Sequence, residues 1–186
     1  DYLILISSGD MLLEDEKTVS AIHHATGDIL RISELADNIT KYTRNCKRDN
    51  IEFSQGVLKS LEQMYEKICD LYESTLEVFD KKDITAIKAV DAVEEEIDAD
   101  RRTIIDDHIR RLNEGRCKPA SSGVFINLVG NLERAADHLT YVAHAVGQTA
   151  HLWYNNYAAK VIEPRGFAED HGSWKKEFIC SKTIKP

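Results

Sequence analysis

The chain has 186 residues, 42% of them hydrophobic and 30% charged, which is material for one substantial core and hence one domain. Its formal net charge of −8 argues against nucleic acid, because no basic stripe is available for phosphates. No apolar run approaches the roughly 20 residues of a membrane span, and no signal peptide opens the chain.

Three prolines, nine glycines and long stretches rich in Glu, Lys, Leu, Ile and Ala point to an all-α protein. Residues 1–8 read as the last turns of a helix, closed by Gly9, as in a segment cut from a longer protein. An acidic linker to Lys17 precedes a first long helix over 18–46, with Ile22, Ala25, Ile29, Ile32, Ala36 and Ile39 as its apolar ladder. A polar break at 47–50 leads to a second helix over about 52–79, laddered by Val57, Leu61, Met64, Ile68, Leu71, Thr75 and Val78. Asp80 to Asp83 form a tight polar connection, and Asp83 is placed to cap a third helix over 84–113. The stripe of that helix is Val90, Val93, Ile97, Ile104 and Leu112, and Gly115 ends it.

Pro119 and Ser121-Ser122 then start a fourth helix, built on Phe125, Leu128, Leu132, Ala135, Leu139, Val142 and Val146. It is expected to run through Trp153, Tyr154 and Tyr157 to Ile162 and to stop at Pro164; residues 166–186 lose periodicity. Helices of about 28 residues are on the order of 40 Å long, so short connections imply an elongated antiparallel helical bundle.

The chain also matches itself. Asp28 to Ala36 aligns with Asn131 to Leu139 at an offset of 103, and Asp1 to Gly9 aligns with Asp107 to Gly115 at an offset of 106. The implied organisation is the end of a first repeat over 1–46, a complete second repeat over 47–147, and a helix extension with an irregular tail over 148–186.

Two pairs of acids stand out. Glu133 and Asp137 are four apart, so on a helix their carboxylates lie one turn above each other, on the flank of the ladder rather than out in water. Glu94 and Asp98 repeat that spacing, each one residue beyond a core position of the preceding helix. If the two helices are antiparallel neighbours, the pairs offer up to eight oxygens to a hard or borderline cation: iron, manganese, magnesium, calcium or zinc. The plainer reading is a solvated acidic face, with Lys88, Arg101 and Arg102 pairing the 94–98 run and Arg134 neutralising Glu133 and Asp137. In the first repeat Leu30 replaces Glu133 while Glu34 replaces Asp137, so a second complete site is not expected.

Other chemistries find no support. No Glu-x-x-His exists for a ferritin-like di-iron centre, and no nucleophile elbow, phosphate loop or HExxH motif appears, so the chain does not read as an enzyme. His23, His24 and His144 read as surface or ordinary bundle residues. Cys46, Cys69, Cys117 and Cys180 read as reduced thiols of a cytosolic protein, a disulfide pair being the alternative. A plain helical scaffold is compatible with all of these features.

Leu132-Glu133-Arg134-Ala135-Ala136-Asp137-His138 resembles the "LERIGDHA" signature of the PhoU family, with Pro119, Ser121 and Glu94-x-x-Ile97-Asp98 in the family's order. The resemblance covers about residues 1–146; Ala135-Ala136 stand for the usual Ile-Gly, and Tyr141 stands where the family often has Asn. It implies two three-helix bundles, metal bound through Glu/Asp-x-x-x-Asp pairs, here Glu94 with Asp98 and Glu133 with Asp137, and a role in regulating phosphate uptake. Tyr2 to Gly9 is similar to the helix ending that precedes such a domain in Na+/phosphate cotransporters. The expectation is therefore a cytoplasmic PhoU-like regulatory domain at the inner face of the plasma membrane, partnered by a phosphate transporter's membrane domain. Self-association into a homo-oligomer is compatible with this. The alternatives are a stand-alone regulator of a phosphate ABC transporter and its sensor kinase, and a metal-free helical adaptor.

Overall fold

The computed structural model describes residues 2–81 and 84–157, with side chains for all of these except residues 84, 148 and 150–157. One compact unit spans Asp1–Leu152; of a second, Trp153–Pro186, only helical backbone to Tyr157 is described. The expected Asp83 cap, the helix beyond Tyr157, Cys180 and the tail lie outside the described residues.

Five helices follow one another: α1 (Tyr2–Ser7), α2 (Leu13–Arg48), α3 (Gln55–Lys81), α4 (Ile87–Asn113) and α5 (Pro119–Tyr157), with a 3₁₀ turn at Ile84–Ala86 before α4. The protein is an all-α helical bundle, and no strand occurs among the described residues. The expected acidic linker is itself helical, so α2 starts at Leu13. Glu14, Asp15 and Glu16 fill its first turn and Lys47 and Arg48 its last, charges that complement the helix dipole at both ends. α3 begins at Gln55, three residues later than expected, where the carbonyl of Ser54 accepts the N–H groups of Val57 and Leu58.

Two turns close their helices in the same way. After α2, Asn50 takes φ 50° and Ile51 N–H donates to Cys46 O at 2.9 Å. After α4, Gly115 takes φ 70° and Arg116 N–H donates to Arg111 O at 2.8 Å. In both a left-handed residue lets the chain fold back onto the last free carbonyls; Asn and Gly tolerate that conformation best.

The core lies between α3, α4 and α5. Val57, Met64, Ile68, Leu71, Thr75 and Val78 of α3 are buried, as their spacing demands, with Leu61 packed against them. Val90 and Ile97 of α4 and Phe125, Val129, Ala136, Leu139 and Ala143 of α5 complete the cluster. Cross-helix pairs set the register. Asp91 meets His144, Arg101 meets Glu133 and His108 meets Ser122, so α4 and α5 run antiparallel. Lys67 reaches Glu96 and Asp100, and Gly56 lies beside Arg111, so α3 and α4 are antiparallel too.

α2 departs from expectation. Ala25, Ile32 and Ile39 are half-buried as expected, but Ile22, Ile29 and Ala36 are exposed, and Ala21, Asp28 and Leu35, each one residue earlier, take their places in the stripe. The inward turn of Asp28 accounts for the difference, because its carboxylate meets His138 Nδ1 of α5 at 2.9 Å. A polar bond between the helices thus outranks two isoleucines in setting the face. α1 buries none of its residues, and Tyr2, Ile4 and Leu5 are 76%, 64% and 70% exposed.

Candidate metal centre

The antiparallel packing of α4 on α5 brings one turn of each helix face to face. Glu94 and Asp98 approach from α4 and Asp137 from α5, and a carboxylate oxygen of each lies within 4.8 Å of the other two. All three side chains are half-buried. The fourth predicted ligand, Glu133, sits one turn earlier on α5 and faces Arg101 of α4 at 3.6 Å instead. It stays near enough to Asp98 and Asp137 for their charges to act on it.

The electrostatics are those of crowded anions. Glu94 has its pKa raised first by burial, then by the charges of Asp98 and Asp137. Asp137 is raised by burial and by Asp98; His138 and Arg101 oppose that rise, as does a hydrogen bond with Glu94. Two carboxylates share such a bond only when one holds a proton, so proton and cation compete for the same place. Glu133 is also raised by burial, with Arg101 as the largest opposing influence.

The expected neutralisation by neighbours on the same helix is only partly realised. Arg102 approaches Asp98 at 3.7 Å, and Glu96 pairs with Lys67 of α3 rather than with Lys88. Arg134 acts on Glu133 only weakly beside Arg101, whose Nε is buried without a hydrogen-bond partner. Glu94 and Asp137 thus face each other without a cationic side chain in direct contact with either among the described residues.

The donor set fits a hard or borderline cation. Oxygen ligands lie about 2.0–2.6 Å from magnesium or calcium, so oxygens on opposite sides of an ion are about 4–5 Å apart. The triad's oxygens, all within 4.8 Å of one another, are close enough to share one ion. A cation there would offset the repulsion that raises Glu94 and Asp137, and carboxylates suit magnesium, calcium and manganese, with iron and zinc also within reach.

Sequence reasoning missed several polar contacts. His138 lies beside Asp137, bonds Asp28 and meets Tyr141 edge-on with ring centroids 5.8 Å apart, so it orients the second half of the motif from α2. Lys67 holds Asp100 at 2.7 Å, pinning α3 beside the acidic turn. Neither contact had a local signal, since both partners come from distant helices. His23 and His24 are exposed, and with Ser7, Met11 and Glu16 they line a cavity of about 470 Å³ between α1 and α2. None of the four predicted ligands lines it. Among the described residues, Cys46, Cys69 and Cys117 take part in no disulfide.

The chain matches the PhoU domain family over residues 61–146, a span that contains all four predicted ligands. The match supports a PhoU-like domain over that segment. No curated protein and no solved structure gives a significant match. Among the described residues, no helix is long and apolar enough to cross a membrane.

Proposed function

We propose that this chain is a metal-loaded regulatory domain that controls a phosphate transporter from the cytoplasmic face of the membrane, attached to a Na+/phosphate symporter. The observation that carries the metal reading is the convergence of Glu94, Asp98 and Asp137 within the segment that matches the PhoU domain. Glu94 and Asp98 on α4 and Asp137 on α5 would hold a divalent or ferric ion, with Glu133 and Arg101 balancing charge at the rim. The ion would tie α4 to α5 and make the packing of the two helices depend on metal supply. No reacting group is needed for such a role.

Attachment to a transporter is supported by the exposed apolar residues of α1, a surface suited to packing against a membrane domain. On α2, Glu34 aligns with Asp137 of the acidic motif, and it pairs with Arg31 of its own helix. We place the metal in the second repeat alone.

The test is phosphate uptake in cells carrying the native gene or an Asp98→Asn/Asp137→Asn version, with protein levels matched. The reading expects uptake to lose its response to external phosphate in the variant. An unchanged response would overturn it. Co-purification with a phosphate ABC transporter rather than a symporter would reassign the partner.

A further inference from the structure

The other end of the three-helix core has the opposite electrostatic character. There α3 and α5 begin and α4 finishes, so the partly positive ends of two helices come together, with Ser54 beside Cys117. Val57, Leu58 and Ser121 donate their N–H groups to the carbonyls of Ser54 and Lys118, and α5 opens on Pro119, which has none, so the open donors are those of Gln55 and Gly56 in α3. Arg111 of α4 enters the same corner, and a Cβ built on Gly56 in the first turn of α3 would lie 3.9 Å from its Nη1. Glycine at that position leaves the backbone N–H groups open to close approach.

Arg111 Nε and Nη2 are both buried without a hydrogen-bond partner, and no carboxylate among the described residues pairs with the guanidinium. The nearby acids are already engaged: Asp107 with Arg110, and Glu114 with Arg116. His108, fully buried, rests on Phe125 with ring centroids 4.4 Å apart and places Nε2 2.9 Å from Ser122 Oγ in the opening turns of α5. Its Nδ1 is a third buried nitrogen with no partner. Burial, then the charge of Arg111, keeps its pKa below the ordinary value, so the ring is neutral at pH 7 and Nδ1–H can donate while Nε2 accepts from Ser122. Buried donors left unpaired cost free energy, and one anion would satisfy several at once.

We infer that this corner is a binding site for a small oxyanion of the phosphate or sulfate class. Arg111 supplies the charge and two donor nitrogens, and the first turn of α3, at Gln55 and Gly56, supplies backbone N–H groups. His108 fixes the wall of the site through Ser122. Glu94 and Asp98 stand more than three turns away along α4, so the anion is not a ligand of the acidic centre.

The test is the melting temperature of the full chain at constant ionic strength, in excess chelator so that no bound metal recruits the anion. Chloride is replaced stepwise by inorganic phosphate, sulfate or acetate. The site predicts a saturable rise with phosphate and sulfate but not with acetate. Arg111→Gln should weaken the response on the order of a hundredfold or more, the loss of two charge-assisted hydrogen bonds. Arg110→Gln removes the same charge from an arginine paired with Asp107 and should leave the response intact. A parent protein with no saturable rise, an equal response to acetate, or equal loss in both variants would overturn the inference. Because the parent's own titration decides, a poorly folded Arg111→Gln does not leave the question open.

Discussion

Replacing Asp137 by Asn removes one charge from the acidic triad and keeps the side chain's size. At the 4.8 Å limit of the triad, each like-charge contact made by Asp137 amounts to about 0.9 kcal/mol at the dielectric constant of water and about 3.5 kcal/mol at an effective value of 20. The side chains are half-buried, so solvent holds the result towards the lower figure, and proton sharing between Glu94 and Asp137 relieves part of the rest. In chelator at neutral pH the variant should therefore be more stable than the parent, by about 1 kcal/mol. With metal the order should reverse, because the variant has lost one of three carboxylate donors and should bind at least about tenfold more weakly. Urea unfolding followed by circular dichroism, with chelator and then with manganese, reads both effects in one experiment. A variant less stable than the parent in chelator, with an unchanged metal response, would refute the reasoning and leave the triad as a solvated face.

The raised carboxyls also set a pH dependence. Their native pKa values exceed the unfolded ones, so stability of the metal-free chain should fall as pH climbs from about 4 through the raised values. Saturating metal should remove that decline, as urea titrations across the range will show. His108 acts in the opposite direction, since its native pKa lies below the unfolded one: its contribution is present above pH ~6.5 and lost as pH falls towards the native value. His108→Phe should flatten that part of the stability profile. Lys67→Met removes the link from α3 to Glu96 and Asp100; with Lys67 and Asp100 about one-third exposed, the loss should be about 0.5–1 kcal/mol in thermal denaturation. Finally, Leu35→Ala should cost about 2 kcal/mol or more and Ile29→Ala no more than about 0.5 kcal/mol, because only Leu35 is buried.

The helices of the core were legible because their apolar steps alternate without competition; every position named on α3 is buried or packed against the core. On α2 the periodicity carried two solutions. Ile32 and Ile39 lie on the true stripe while Ile22 and Ile29 lie one residue off it, and the choice between the two faces depends on a bond from Asp28 to His138, 110 residues away. The acidic triad was legible for a geometric reason: a spacing of four puts both acids of a helix on one side, and an antiparallel neighbour brings the second set opposite. Glu133 paired across helices with Arg101 rather than along its own helix with Arg134, and spacing alone does not separate those partners. His108 gave no signal at all, because an imidazole wedged on Phe125 beside Ser122 looks like any helical histidine until the three helix ends are brought together.

The central claim of the proposal is that a cation bridges α4 and α5 at the acidic triad. Elemental analysis of the chain purified without chelator, beside a Glu94→Gln/Asp98→Asn/Asp137→Asn variant prepared in parallel, measures it directly. A divalent or ferric ion stoichiometric with the parent and absent from the variant is the predicted result. Equal metal in both proteins, or none in the parent even after addition of iron, manganese or zinc, would contradict it.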